Sequence, residues 1–230
     1  ELLYPWFAHP GLARKLEKLC LGNKVTMLGT GVNPGFVMDT MALATTGVCH
    51  EVRGIRVTRI VNAATRRKPL QLKVGAGNTL PEFRAKVKNQ QLGHVGLLES
   101  IALIGHGLGL KLDITDRIRP KVAPKKFRTK HLTVQKGQAA GIEHQGWGKI
   151  DGKTFIHLHL EMFVGDHESY DEIIVKGTPP MHVRFEGGTA GDPATVGVLV
   201  NGISKVYEGN PGLITMVDGP VHRAFGSILP

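Results

Sequence analysis

Four successive stretches, near residues 139–149, 153–165, 170–177 and 181–186, alternate apolar and polar side chains with a period of two, and this pattern most limits what the chain can become. A period of two sends neighbouring side chains to opposite faces, so each stretch predicts a strand with one dry face. Residues 154–164 show it best: Ile156, Leu158, Leu160, Met162 and Val164 fall on one side, and Phe155, His157, His159, Glu161 and Phe163 on the other. Short connections such as Asp151-Gly152 suit tight turns between antiparallel neighbours.

Helical spacing occupies much of the remainder. Leu12, Leu16 and Leu19 predict an amphipathic helix over 12–21 that stops at Gly22-Asn23, with a short buried strand at 24–28. Asn33 reads as an N-cap and Pro34 as the first residue of a helix to about Thr46, apolar on nearly every side. Residues 51–63 set Ile55, Val57 and Val61 against Arg56 and Thr58, a strand with one wet face. Thr79 and Glu82 form a capping box for a helix to about Lys88, and a further helix at 96–104 is closed by Gly105, Gly107 and Gly109. Asp192-Pro193 caps a last helix whose Val196, Leu199, Val200 and Ile203 make an apolar stripe. The sum is α+β, a mixed, largely antiparallel sheet covered by helices.

Composition excludes several functions. No apolar run approaches the roughly 20 residues that span a bilayer, and the start ELLYPWFAHP lacks a signal-peptide pattern, so no membrane partner and a cytoplasmic location are expected. Cys20 and Cys49 have no metal-ligand spacing and read as reduced thiols. The net charge of +10 is densest over residues 117–136, but that segment holds one aromatic residue, Phe127, where single-strand binders interleave several. Nucleic acid is therefore not expected as a partner.

Four local patterns carry chemistry. GTGVNPGF, residues 29–36, follows a strand like a phosphate loop, yet its spacing is G-x-G-x-x-x-G and Pro34 removes an N–H that a phosphate would use. A structural cap or a turn lining a ligand pocket remain as its readings. His157, His159 and Glu161 share a strand face but lack a second ligand cluster, so no metal is expected there. Arg66, Arg67 and Lys68 lie just past a strand end, where guanidinium forks meet carboxylates, unless the turn is simply solvated. His94, between Gly93 and Val95, has little side-chain cover and could face a cleft or merely lead into a helix.

Taken in order, GTGVNPGFVMDT, ATRRKPLQ, GHVGLLES, the strand-rich middle, GDPATVGVLVN and GLITMVDGPVHRAF resemble the C-terminal part of the 2,4-diaminopentanoate dehydrogenases and native amine dehydrogenases, which are dihydrodipicolinate-reductase-like oxidoreductases. The resemblance implies NAD or NADP as cofactor, a small amine or amino acid as substrate, and a homodimer. It implies that residues 1–34 end a Rossmann-like cofactor domain, that 35–205 bind substrate and dimerise, and that 206–230 pack back on the cofactor side. Such enzymes place most cofactor contacts in an N-terminal Rossmann domain, and no G-x-G-x-x-G occurs in this chain. The chain alone is therefore expected to be inactive. By the same resemblance Thr30, Gly31, Asn33, Pro34 and Gly35 would lie beside the nicotinamide, Phe36, Arg66 and His94 would face substrate, and Glu1 would be the catalytic glutamate. A dihydrodipicolinate-type imine reductase and a non-catalytic binding module are the competing readings.

Overall fold

The computed structural model describes residues 2–220, 222 and 223. Its elements run α1 (Pro5–Ala8), α2 (Pro10–Asn23), β1 (Thr26–Leu28), α3 (Thr40–Thr46), β2 (Glu51–Asn62), a 3-10 turn (Ala63–Thr65), α4 (Lys68–Lys73), α5 (Leu80–Lys88) and α6 (Leu97–Gly107). Then follow β3 (Asp113–Val122), the short β4 (Phe127–Arg128) and β5 (Thr133–Val134), β6 (Ala139–Ile150), β7 (Lys153–Phe163), β8 (Tyr170–Thr178), β9 (Met181–Glu186), α7 (Gly191–Tyr207) and β10 (Gly212–Ile214).

The four period-two stretches become β6 to β9, as their alternation predicts. They join β3 and β2 in a six-stranded sheet of order β3-β6-β7-β2-β8-β9, in which β2 and β7 run parallel and every other pair antiparallel. Asp151 and Gly152, both at positive φ, make the β6–β7 hairpin turn. The dry face stacks Ile55, Val57, Ile156, Leu158, Leu160, Ile173 and Val175 under Met38 and the α6 residues Leu97, Ile101 and Ile104. Residues directly paired across strands share a face, so Arg59, opposite Leu160 and Asp171, lies on this dry side too. A second cluster around Phe83, Val74, Ile142 and Val164 closes the α4–α5 end. On the wet face Trp147 stacks on His157, ring centroids 5.6 Å apart, and Lys121 pairs with Glu161 at 2.9 Å.

Five expectations need correction. The helix expected from Pro34 starts at Thr40: the Asn33–Pro34 peptide is cis, Gly35 sits at φ +133°, and Asp39 rather than Asn33 caps the helix. The strand over 51–63 is central rather than half wet: helices cover the face of Ile55 and Val57, and on the other face Thr58 and Ile60 are buried between the paired residues His159 and Glu161 of β7 and Glu172 and Tyr170 of β8. The first six residues of the basic 117–136 segment belong to edge strand β3, whose Ile114 and Ile118 face inward; Pro120 is tolerated there because an edge leaves one N–H side unpaired. The last helix is capped at Ala190, with Asp192 inside its first turn. Its stripe faces outward: Val196, Leu199, Val200 and Ile203 are each more than half exposed. Similarly α2 buries Ala13 and Cys20 instead of Leu12 and Leu19. Cys20 and Cys49 are free thiols. Among the described residues no helix is long and apolar enough to cross a membrane.

Outside the main sheet, β1 and β10 pair in parallel as a two-stranded sheet, Thr26 to Gly212 through Leu28 to Ile214. This pair sits between α2 and α7, and Lys205 of α7 ties the following loop by donating from Nζ to the Met216 carbonyl at 2.9 Å.

Candidate functional site

Three separate segments meet at the end of the sheet where β2 leaves the core. Asn62 closes β2 by accepting the Ala64 N–H on Oδ1 at 2.9 Å, while its Nδ2 donates to the Gly165 and His167 carbonyls at 3.0 Å. Buried Gln71 then donates to the Arg66 carbonyl at 2.8 Å, fixing the turn that carries the cations. The loop 33–35 comes from the β1 side and abuts the loop before α6 so closely that a Cβ on Gly96 would lie 2.4 Å from Pro34 Cγ.

Asp39 knits these loops together. Its Oδ2 accepts the Gly35 N–H at 2.9 Å and the Ser100 hydroxyl at 2.7 Å, and Oδ1 accepts the Thr40 N–H at 2.6 Å. Burial pushes its pKa up, against the donors from Ser100, Gly35 and Thr40, which favour the charged form. The Asp39 carboxylate thus connects the turn, the start of α3 and the interior of α6.

Between the loops lies a cavity of about 440 Å³ lined by Asn33, Arg59, Arg66, Arg67, Lys73, His94 and Asp192, among others. Its charge is lopsided: four cationic side chains face one carboxylate, Asp192, which lies 3.3 Å from Arg66 and 3.6 Å from Arg67. Arg59 is anchored from below, Nη1 reaching Asp171 Oδ1 and Oδ2 at 2.7 and 2.8 Å and Nη2 the Thr189 carbonyl at 2.8 Å. Desolvation lowers the Arg59 pKa while Asp171 opposes the shift. Several polar atoms at the cavity are buried without a partner: Nδ2 and Oδ1 of Asn33, Nε of Arg59 and Nε2 of His94. Buried polar atoms normally have partners, so these mark where a ligand's polar groups would go.

His94 is held neutral. Burial, reinforced by the charges of His144, Lys73 and Arg59, brings its pKa from 6.5 to about 3. A neutral imidazole among guanidinium groups hydrogen-bonds a ligand without adding to the positive field.

The structure brings Asn33, Arg66 and His94 to this one cavity. Phe36 is elsewhere: with Met41, Met216 and His222 it lines a second, largely apolar cavity of about 290 Å³, its ring centroid 5.8 Å from that of His222. Thr30 donates to Met216 Sδ at 3.0 Å and lines a third cavity with Leu28 and Ile203. Gly31 and Gly35 pack on each other, a Cβ on Gly35 falling 2.4 Å from the Gly31 nitrogen. Pro34 packs on Gly96, and Glu1 lies outside the described residues. Among the described residues no cluster of three or more His, Cys, Asp or Glu is arranged to hold a metal ion.

Arg59, Lys73 and Asp192 escaped sequence reasoning. Arg59 had a signal: it has the same parity as Ile55, Val57 and Val61, so it is a charge on the dry side of its strand. Lys73 and Asp192 had none, since only the fold brings them near the turn at Arg66.

Residues 36–228 match the family described as "2,4-diaminopentanoate dehydrogenase C-terminal domain". A 2,4-diaminopentanoate dehydrogenase from Acetoanaerobium sticklandii is 32% identical over 231 residues, covering 97% of this chain and 65% of that protein. The chain thus spans slightly less than two thirds of that relative's length. The solved structure of an amine dehydrogenase from Mycobacterium smegmatis superposes with a TM-score of 0.84 at 22% identity, over 98% of this chain and 68% of the other, which establishes a common fold.

Proposed function

Because the chain belongs to the 2,4-diaminopentanoate dehydrogenase C-terminal domain family, we propose that it forms the substrate-binding and dimerisation half of an NAD(P)-dependent dehydrogenase of a small amine bearing a carboxylate, such as 2,4-diaminopentanoate. The reaction would convert R₂CH–NH₃⁺, water and oxidised cofactor to ketone, ammonium, reduced cofactor and one proton. The single observation that carries this reading is the convergence of Arg59, Arg66, Lys73 and His94 on one cavity from β2, the turn after it, α4 and the loop before α6. Guanidinium forks in a partly dry cavity suit a carboxylate, and the excess of positive charge disfavours a plain amine.

The nicotinamide, when bound, supplies the hydride acceptor. A fit to it is suggested by Asn33, whose side-chain amide has both its donor and its acceptor buried and unpaired. That is the complement of a carboxamide. The rest of the turn offers little side-chain bulk, so a ring could lie close to its backbone. This chain's own task is then to orient and exclude water: Arg66 and Lys73 grip the carboxylate, Arg59 extends the field from its Asp171 anchor, and His94 hydrogen-bonds the polar end.

We assign β1, β10 and the outward stripe of α7 to the cofactor-binding half, since a two-stranded parallel pair ordinarily belongs to a larger covered sheet. The wet face with its Trp147–His157 stack is assigned to the homodimer.

The test is to assay the complete enzyme with NAD and NADP against 2,4-diaminopentanoate and against amines without a carboxylate, measuring ammonia. Ammonia release is expected, and Arg66→Ala should raise KM for the carboxylate substrate about 30-fold while changing that for a plain amine little. Activity on dihydrodipicolinate with no ammonia from any amine would favour the imine-reductase reading instead.

A further inference from the structure

Two carboxylates serve the cationic cavity, and they are held very differently. Asp171 is committed to its guanidinium: fully buried, it accepts from Arg59 Nη1 at 2.7 and 2.8 Å. Asp192 is the only carboxylate among the described residues that line the cavity, and it lies 3.3 Å from Arg66 and 3.6 Å from Arg67. Both separations exceed the roughly 2.7–2.9 Å of a well-formed charge-assisted bond. The charges attract, yet a third charged group can still approach Asp192. Its side chain is 58% exposed, and it stands in the first turn of the 17-residue α7, where the helix end favours negative charge. The residue before it, Gly191, has no Cβ to push the Arg66 guanidinium away, and Thr195 turns its hydroxyl to the Gly191 carbonyl at 2.8 Å. A cation and an anion therefore stand side by side on this wall.

We propose that Asp192 is a specificity residue that accepts an α-ammonium group, so that Arg66 and Asp192 together read the zwitterionic head of an amino acid. The proposal rests on the dehydrogenase reading above and narrows the substrate class of the same site to amino acids whose reacting amine lies further along the chain. An α-amino acid carries its carboxylate and its ammonium one carbon apart, which is the charge complement of Arg66 beside Asp192. The carboxylate lies on Arg66, and the neighbouring ammonium donates to Asp192. An ammonium entering among Arg59, Arg66, Arg67 and Lys73 meets repulsion unless an anion stands next to it, and Asp192 is the anion this wall provides. A carboxylate with no ammonium beside it gains nothing from Asp192 and is repelled by it, so the same side chain works against such ligands. Of the two amines of 2,4-diaminopentanoate, the one beside the carboxylate is thereby held, and the other is left for hydride transfer. Asp192 itself takes no part in the chemistry.

Two measurements on the complete enzyme decide it. The first compares 2,4-diaminopentanoate with 4-aminopentanoate, which keeps the carboxylate and the distant amine but lacks the α-ammonium. Asp192→Asn should raise the ratio of their KM values, first to second, about tenfold, and Asp192→Glu should recover part of the discrimination. A residue that merely steadied Arg66 would raise both KM values together, so an unchanged ratio overturns the proposal. The second measurement needs no turnover: calorimetric titration with 2-aminopentanoate and with pentanoate. Wild type should bind 2-aminopentanoate about tenfold more tightly, and Asp192→Asn should lose that preference. Equal or absent binding of the two by wild type, or a preference that survives Asp192→Asn, would also overturn it. If wild type releases ammonia from no amine, the dehydrogenase reading fails instead, and the titrations alone judge whether Arg66 and Asp192 read an amino-acid head.

Discussion

Asp39 and Ser100 are joined by a 2.7 Å hydrogen bond between a carboxylate and a hydroxyl that are both fully buried, 61 residues apart in the chain. The bond pins the turn containing Asn33 to the helix that follows His94, and so sets the distance between two walls of the cationic cavity. Asp39→Ala would strand the Gly35 and Thr40 amides and the Ser100 hydroxyl. We expect a loss of about 3 kcal/mol in urea unfolding. Asp39→Asn keeps the shape but turns an N–H toward the Gly35 or the Thr40 amide, which can only donate, and should cost about 2 kcal/mol. A cost below about 1 kcal/mol for both would mean that the loops hold their places without this carboxylate.

Arg59 and Asp171 are 2% and 0% exposed, so neither charge has water to fall back on. Asp171→Asn leaves a guanidinium buried against a neutral amide and should destabilise by about 3–5 kcal/mol. The exposed pair Arg53–Glu51, on the same strand, provides the contrast. Arg53→Ala should cost under about 1 kcal/mol. Equal unfolding midpoints for the two variants would show that Arg59 does not depend on its partner.

What could be read without coordinates divides along the same lines. Period-two alternation located β6 to β9, because burial on one face is a local signal that every second residue repeats. The capping box at Thr79 and Glu82 is present with both its hydrogen bonds, since all its parts lie within four residues. By contrast, Asn33-Pro34 looked like a helix start on local grounds, and the start was moved by Asp39, whose partners include a residue of α6. Edge strand β3 was hidden by its own charges, which its solvent side tolerates. The site was half legible. Arg66 and His94 stand out by local context, whereas Lys73 and Asp192 acquire meaning only through the contacts of the folded loops.

Gly191 opens α7 directly beneath Arg66: a Cβ there would lie 2.6 Å from Arg66 Nη2 and 3.1 Å from Nη1. The obstacle is the far end of a flexible side chain, and Gly191 has no positive φ that would strain an alanine. Gly191→Ala should therefore leave unfolding free energy within about 1 kcal/mol of wild type, because helix propensity offsets the contact. The guanidinium must move, and KM for a carboxylate-bearing amine should rise about five- to tenfold. An unaltered KM would place the carboxylate away from Arg66.

His94 gives the pH dependence its sign. Its pKa in the folded chain, about 3, is below the 6.5 of a free imidazole, because burial and the facing charges of His144, Lys73 and Arg59 disfavour the cation. The unfolded chain therefore binds a proton that the folded chain refuses. Stability from this group is complete above pH 6.5 and is lost as pH falls toward 3. Between pH 7.5 and pH 5 the loss amounts to about 2 kcal/mol. Other groups titrate over that range too, so the quantity to measure is the difference between wild type and His94→Gln, which cannot take the charge. Urea unfolding at the two pH values should show wild type losing about 2 kcal/mol more than the variant. A difference that stays constant with pH would mean that the imidazole is already hydrated and charged at pH 5, and the cavity wetter than its unpaired atoms imply.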